Sequence, residues 1–195
     1  MKHCIYLLIC ICCICILISG CNRLWAEETS IKKDSEKERL EISFKFHRGG
    51  IASSQYAIWI EDETGRLVRT LYATSFTVKG GYGYREDAIP VWVAKAKPKT
   101  MSYSEVDAVT GATPQNGSLV YVWDGTDENG NTVPVGKYRF FVEGTLYWKS
   151  RVIYFGELTW GGNDQLRIPV KKHLFNQSET NKNMITELRA NYLTK

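Results

Sequence analysis

From Glu41 onward, apolar and polar positions alternate with a period of two. In EISFKFHR, Ile42, Phe44 and Phe46 alternate with Ser43, Lys45 and His47, which sets three apolar side chains on one face of a strand. QYAIWIED and RLVRTLYA repeat the alternation and are joined by Glu63-Thr64-Gly65, a polar turn containing glycine that predicts a hairpin. Further strands are predicted over IPVWVA (89–94), SLVYVW (118–123), KYRFFVEGTLYW (137–148), RVIYFGELTW (151–160) and MITELRANYL (184–193). No stretch of this region carries a convincing helical period, and the polar segment 171–183 reads as a long loop before the last strand. The pattern predicts an all-β fold, a single antiparallel β-sandwich over residues 41–195. A domain of that size buries enough surface to stand without crosslinks.

The first residues follow a different rule. Lys2 gives a positive start, YLLICICCICILI gives an apolar core, and Ile18-Ser19-Gly20 gives small residues before Cys21. This is the layout of a cleavable export signal. The apolar run is shorter than the roughly 20 residues a spanning helix needs and ends in no basic flank. Ile18, Ser19, Gly20 and Cys21 resemble the bacterial lipobox, which implies a diacylglycerol on the Cys21 thiol and cleavage before it. Leucine is commoner at the position of Ile18, and cleavage elsewhere, for instance after Ala26, is the competing expectation. Residues 1–20 are thus expected to be a lipoprotein signal peptide, and residues 21–40 a lipidated N-terminus and tether. The expected location is the cell envelope, on its periplasmic or outer-surface side.

Composition narrows the picture further. All six cysteines, Cys4, Cys10, Cys12, Cys13, Cys15 and Cys21, fall in or at the end of the signal. Disulfides and thiolate metal sites are therefore excluded from the folded part. Glu27–Arg39 holds nine charges and one large apolar residue, Ile31; it cannot build a core and reads as a solvated tether. The whole chain carries a net charge of +4, which falls by one when Lys2 leaves with the signal. Such a small, interspersed charge is no nucleic-acid footprint. His47 and His173 lack acidic neighbours at ligand spacing and read as lone surface imidazoles, so no metal is expected. No Gly-x-Ser-x-Gly elbow exists, which disfavours hydrolysis. Gly80-Gly81-Tyr82-Gly83 reads as a loop between strands rather than a phosphate cradle. Its neighbours Tyr82, Tyr84 and Trp92 are candidates to stack on a planar ligand, with core packing the commoner role for such aromatics.

Two motifs carry resemblances. The stretch VWDGTDENGNTVPVGKYRFFVEG places turn chemistry at Asp124-Gly125 and Glu128-Asn129-Gly130 before a long strand. It resembles the immunoglobulin-like module of flagellar hook-capping proteins, where WDG and PxGxYxF recur around one β-hairpin. The resemblance implies an Ig-like sandwich and speaks to fold, not function. The second motif is VDAVTGATP, residues 106–114. Asp107, Thr110, Gly111, Ala112 and Thr113 resemble the flavinylation motif of extracytoplasmic flavoproteins, in which a flavin transferase moves FMN from FAD onto the last hydroxyl. Such a hydroxyl has to be exposed on a mobile segment, with small residues before it leaving the approach clear. Pro114 restricts Thr113 to extended conformations. Asp107 is a candidate to help hold the transferase's cation or to cap a turn. The plain alternative is a polar loop whose Asp, Gly and Pro serve turn geometry.

Residues 41–193 as a whole are similar to the family of predicted periplasmic proteins known as domain of unknown function twenty-two seventy-one. QYAIWIEDETGRLVRTLYAT, DAIPVW, VDAVTGATP and the run from YVWDGTDENG to FFVEGTLYW carry the similarity. It implies an exported protein, often lipid-anchored or found near flavin transferases and PepSY-type membrane reductases, with no established catalytic activity, and no catalytic residue is assigned. Two functions follow as expectations. One is a lipid-anchored electron relay with covalent FMN on Thr113, a carrier more than a catalyst. The other is a non-catalytic Ig-like binding or structural lipoprotein.

Overall fold

A computed structural model describes residues 37–48, 54–111, 114–146, 150–162, 166–175 and 184–194. Cys21, Ala112 and Thr113 lie outside the described residues. The chain runs β1 (Arg39–Phe46), β2 (Gln55–Asp62), β3 (Leu67–Thr74), α1 (Ser75–Val78), α2 (Pro90–Ala96), α3 (Tyr103–Val109) and β4 (Thr110–Gly111). It continues through β5 (Gly117–Trp123), β6 (Gly136–Thr145), β7 (Arg151–Trp160), β8 (Leu166–Ile168), β9 (Lys171–Phe175) and β10 (Ile185–Leu193). Two sheets result, ordered β5-β1-β10-β8 and β4-β3-β2-β6-β7-β9.

The alternation read from the sequence becomes the contact between the sheets. Leu40, Ile42, Phe44 and Phe46 of β1 face Tyr56, Ile58 and Ile60 of β2 and Phe140 and Val142 of β6 in one core. Each such side chain, fully buried, contributes about 2 kcal/mol by leaving water. β1 begins at Arg39, so Arg39 and Leu40 belong to the strand and not to the tether.

β2 is buried along both faces, because the sheet has a second cover. Ala57 and Trp59 of β2 and Ala73 of β3 pack against Val78, Ile89, Trp92 and Val109 in a separate cluster. Residues 75–109, which hold the three α-helices found among the described residues, therefore form a third layer on the outside of the six-stranded sheet.

This layer corrects two expectations. IPVWVA forms the helix α2, not a strand. Its valines favour strands, but Pro90 occupies the first helical turn, where a missing N–H costs nothing. The Glu143 carboxylate then accepts from the Val91 N–H at 3.3 Å and the Trp92 N–H at 2.9 Å. A tertiary cap overrides local propensity. The expectation that no helix exists also fails at α3, where Ser102 and Glu105 form a capping box.

Three further differences concern strands. β4 pairs with β3 in parallel, Ala73 opposite Thr110 and Thr74 opposite Gly111, so the larger sheet is mixed and not purely antiparallel. Lys171–Phe175, expected as loop, pairs with β7 at the sheet edge. The WDG stretch does not turn within a hairpin: β5 lies in the smaller sheet and β6 in the larger. The loop between them crosses from one sheet to the other, held by Asp124 accepting from the Thr126 hydroxyl at 2.6 Å and Asp127 accepting from the Asn131 N–H at 2.8 Å.

Candidate functional site

Of the motif, Asp107 to Gly111 span a junction between helix and strand. Its acidic member is on α3, whose first turn is fixed locally. The Ser102 N–H donates to Glu105 Oε2 at 2.6 Å and the Glu105 N–H donates to Ser102 Oγ at 3.3 Å. Hydrogen bonds from the Ser102 side chain and from its N–H to the Glu105 carboxylate hold that carboxyl below the ordinary range. Val109 is buried in the outer cluster, while Asp107 points to solvent. Asp107 thus sits on an exposed helical turn, not in the loop expected for it.

Thr110 and Gly111 are half-buried and anchored through β3. The anchor reaches into the core. The Tyr72 hydroxyl donates to the Gly111 carbonyl at 3.3 Å, and Tyr72 stacks on Tyr56 with centroids 4.7 Å apart. The Tyr56 and Tyr121 hydroxyls bond each other at 2.6 Å. Burial pushes the Tyr72 phenol up to about 12 and raises those of Tyr56 and Tyr121 as well, so all three stay protonated at neutral pH.

The glycine of the motif has a packing reason of its own. A Cβ at Gly111 would meet Tyr72 Cε2 at 2.7 Å, and the ring cannot retreat into a filled core without cost. Gly111→Ala is expected to destabilise the protein by about 2 kcal/mol through overpacking. Thermal unfolding of Gly111→Ala, Tyr72→Leu and the pair tests this: the double variant should lose clearly less than the sum of the singles. Additive losses would show that the glycine serves something other than room for the ring.

Beside α3 lies a hollow of about 490 Å³ lined by Arg69, Thr70, Met101, Ser104, Val109 and Glu128 among others. Arg69 is held in place by donating to Thr126 Oγ1 at 3.1 Å and to the Asp127 carbonyl. Burial, reinforced by the nearby Glu105 carboxylate, raises the Glu128 carboxyl above its ordinary range. Trp92 does not line this hollow. It is fully buried and donates its indole N–H to Thr70 Oγ1 at 3.2 Å, which corrects its candidacy as a stacking platform. Tyr84 is almost wholly exposed.

Sequence reasoning missed two buried carboxylates. Glu143 caps α2 and lies 3.5 Å from Arg151; burial pushes its carboxyl up to about 7. Glu61 accepts from the Trp59 indole at 2.9 Å and pairs with Lys95 of α2 at 3.1 Å. The two acids fasten opposite ends of α2 to the sheet. The signal available was their phase: each shares a strand face with Trp59 or Phe141 and not with the lysines of a solvated surface. Among the described residues no three His, Cys, Asp or Glu side chains gather at metal-binding distance. His47, just past the end of β1, and His173 on β9 are both exposed.

Two sheets packed around one core, with a helical layer over one outer face, define a β-rich domain in which Thr110 and Gly111 lie at a sheet edge. The sequence profile of the predicted periplasmic protein family DUF2271 matches residues 37–174, and the chain belongs to that family. No curated protein and no solved structure matches it. Among the described residues no helix is long and apolar enough to cross a membrane.

Proposed function

We propose that this periplasmic-family protein is a flavin carrier, anchored to the membrane by a lipid on Cys21 and bearing FMN as a phosphoester on Thr113. The observation that carries the reading is the setting of the motif. Asp107 is exposed on the helix before it, while Thr110 and Gly111 are tied to the sheet edge by β3 and Tyr72. A segment leaving such a fixed point presents the following residues to another enzyme without disturbing the core. In the attachment the Thr113 hydroxyl displaces AMP from the FMN phosphorus of FAD, forming one P–O bond, breaking the diphosphate bond and losing the hydroxyl proton. The bound flavin would supply one- and two-electron redox chemistry. The chain's own residues do the rest: Asp107 offers a carboxylate to the transferase's divalent cation, and Gly111 leaves the approach to the hydroxyl clear. The donor fitting this reading is a PepSY-type membrane reductase.

The test is intact mass of the protein recovered from cells coexpressing a flavin transferase. Wild type should gain one FMN less water, and Thr113→Val should gain nothing while unfolding at the same temperature. Identical unmodified masses would end the flavin reading. They would favour the second one, a non-catalytic immunoglobulin-like binding lipoprotein, which draws on the aromatic outer face of β6, β7 and β9.

A further inference from the structure

The outer face of the six-stranded sheet is divided. The cluster beneath the helices takes Trp59 from β2 and Phe141 from β6 but nothing from β7 or β9. Beyond Phe141 the face forms a groove of about 610 Å³ whose floor is Phe141, Ile153, Phe155 and Phe175. That volume lies within the range of small-molecule sites, roughly 300–1,000 Å³.

The rings are ordered. Trp59 stacks on Phe141 at 5.1 Å and 11°, and Phe141 stacks on Phe155 at 6.0 Å and 21°. Trp59 lies opposite Phe141 and Phe141 opposite Phe155 across the ladders, so the stacked rings make an aromatic surface across three strands. Cations stand over this surface: Arg139 lies 6.0 Å from the Phe141 centroid, Lys171 5.9 Å from Phe155 and Arg151 3.9 Å from Phe175. Arg139 and Lys171 line the groove, and Glu157 is the acid among the lining residues.

We infer that this groove binds a planar aromatic small molecule carrying an anionic group, its ring on Phe141 and Phe155 and its charge between Arg139 and Lys171. The geometry excludes a purely apolar occupant, because the cations would lose hydration without a partner. It equally disfavours an aliphatic anion, which would leave the ring faces unmatched. Arg139 reaches Glu61 only at 4.0 Å, and Glu61 already holds Lys95 at 3.1 Å, so the Arg139 guanidinium has capacity for a second anion. The site is separate from the Thr113 motif, since β4 and β9 are opposite edges of the sheet. The inference does not rest on the flavin reading.

Titration calorimetry of the full-length exported protein tests it with 2-naphthalenesulfonate, the neutral 2-naphthalenemethanol and cyclohexanecarboxylate. The sulfonate should bind saturably, with the alcohol and the aliphatic acid each about tenfold weaker. Lys171→Gln should weaken the sulfonate about threefold and the Arg139→Gln/Lys171→Gln pair about tenfold, both leaving the alcohol unchanged, whereas Lys99→Gln, outside the groove, changes neither. Lys171 is exposed, so its single variant keeps the comparison valid if the pair unfolds. No saturation of the sulfonate by the wild type, equal binding of sulfonate and alcohol, or retention in both groove variants would each overturn the assignment. Binding of an acidic peptide without binding of the sulfonate would overturn it too, in favour of a protein partner.

Discussion

Replacing Gly125 by alanine is expected to lower the stability by about 3 kcal/mol and the thermal midpoint by about 10 °C. Two independent costs combine at this position. Its φ is +75°, a left-handed conformation that costs an L side chain roughly 1 kcal/mol. A Cβ there would also lie 2.0 Å from Trp160 Cζ2 and 2.3 Å from Cε2. Trp160 has nowhere to go, being packed on Trp123 at 4.6 Å and on Tyr192 at 5.8 Å. The Gly125 carbonyl also accepts from the Val133 N–H at 2.8 Å, so moving the backbone would open the loop that joins the two sheets. Circular-dichroism melts of Gly125→Ala with and without Trp160→Leu check the account. The second substitution should restore the part of the loss due to the clash and none of that due to φ. A midpoint for Gly125→Ala unchanged from wild type would show that the tryptophan does not close on the glycine.

That glycine also shows how much the sequence disclosed. WDG was legible as turn chemistry, and its neighbours as strands, because Trp123 and Tyr138 keep the alternation of β5 and β6. The fact that β5 and β6 belong to different sheets was not legible. A polar loop of this length is compatible with a hairpin or a crossover, and only the partners of β1 decide between them. β1 pairs with β5 and β10, both distant in sequence. The same limit hid β9. Lys171, Lys172 and His173 carry no apolar alternation, and they form a strand because β7 offers an unpaired edge.

The helical layer was hidden for a converse reason. IPVWVA is apolar and β-branched, and its helical form depends on Glu143, about fifty residues later in the chain. The candidate motif was partly legible. Its residue types were read correctly as small and polar, but Gly111 as a mere clearance for an incoming enzyme missed Tyr72. Glycine suits both the packing of Tyr72, which the structure shows, and the clear approach that a flavin transferase would need. Substituting Tyr72 separates them, because it relaxes one demand and leaves the other.

The carboxylate that caps α2 sets the second large expectation, a stability that falls as pH rises through neutrality. In the folded protein burial pushes the Glu143 carboxyl up to about 7 from the model-compound value of 4.5, against the pull of the Trp92 and Val91 N–H groups and Arg151. The folded state therefore holds this proton more tightly than the unfolded chain does. Its contribution is fully present below about 4.5 and is lost as pH rises through about 7, with no further change above. A difference of that size corresponds to about 3 kcal/mol. Glu143→Gln keeps one oxygen to accept from the Trp92 N–H and removes the titration. Urea unfolding at pH 4.5 and pH 8 should show the wild type losing about 3 kcal/mol more than the variant between the two. The Val91 and Trp92 N–H groups bond the charged form more strongly, so the loss falls on the folded domain as a whole: their amide exchange should follow global stability with pH and show no additional local opening of α2. Parallel stability curves for the two proteins would mean that Glu143 is charged throughout, its burial offset by Arg151 and the helix terminus.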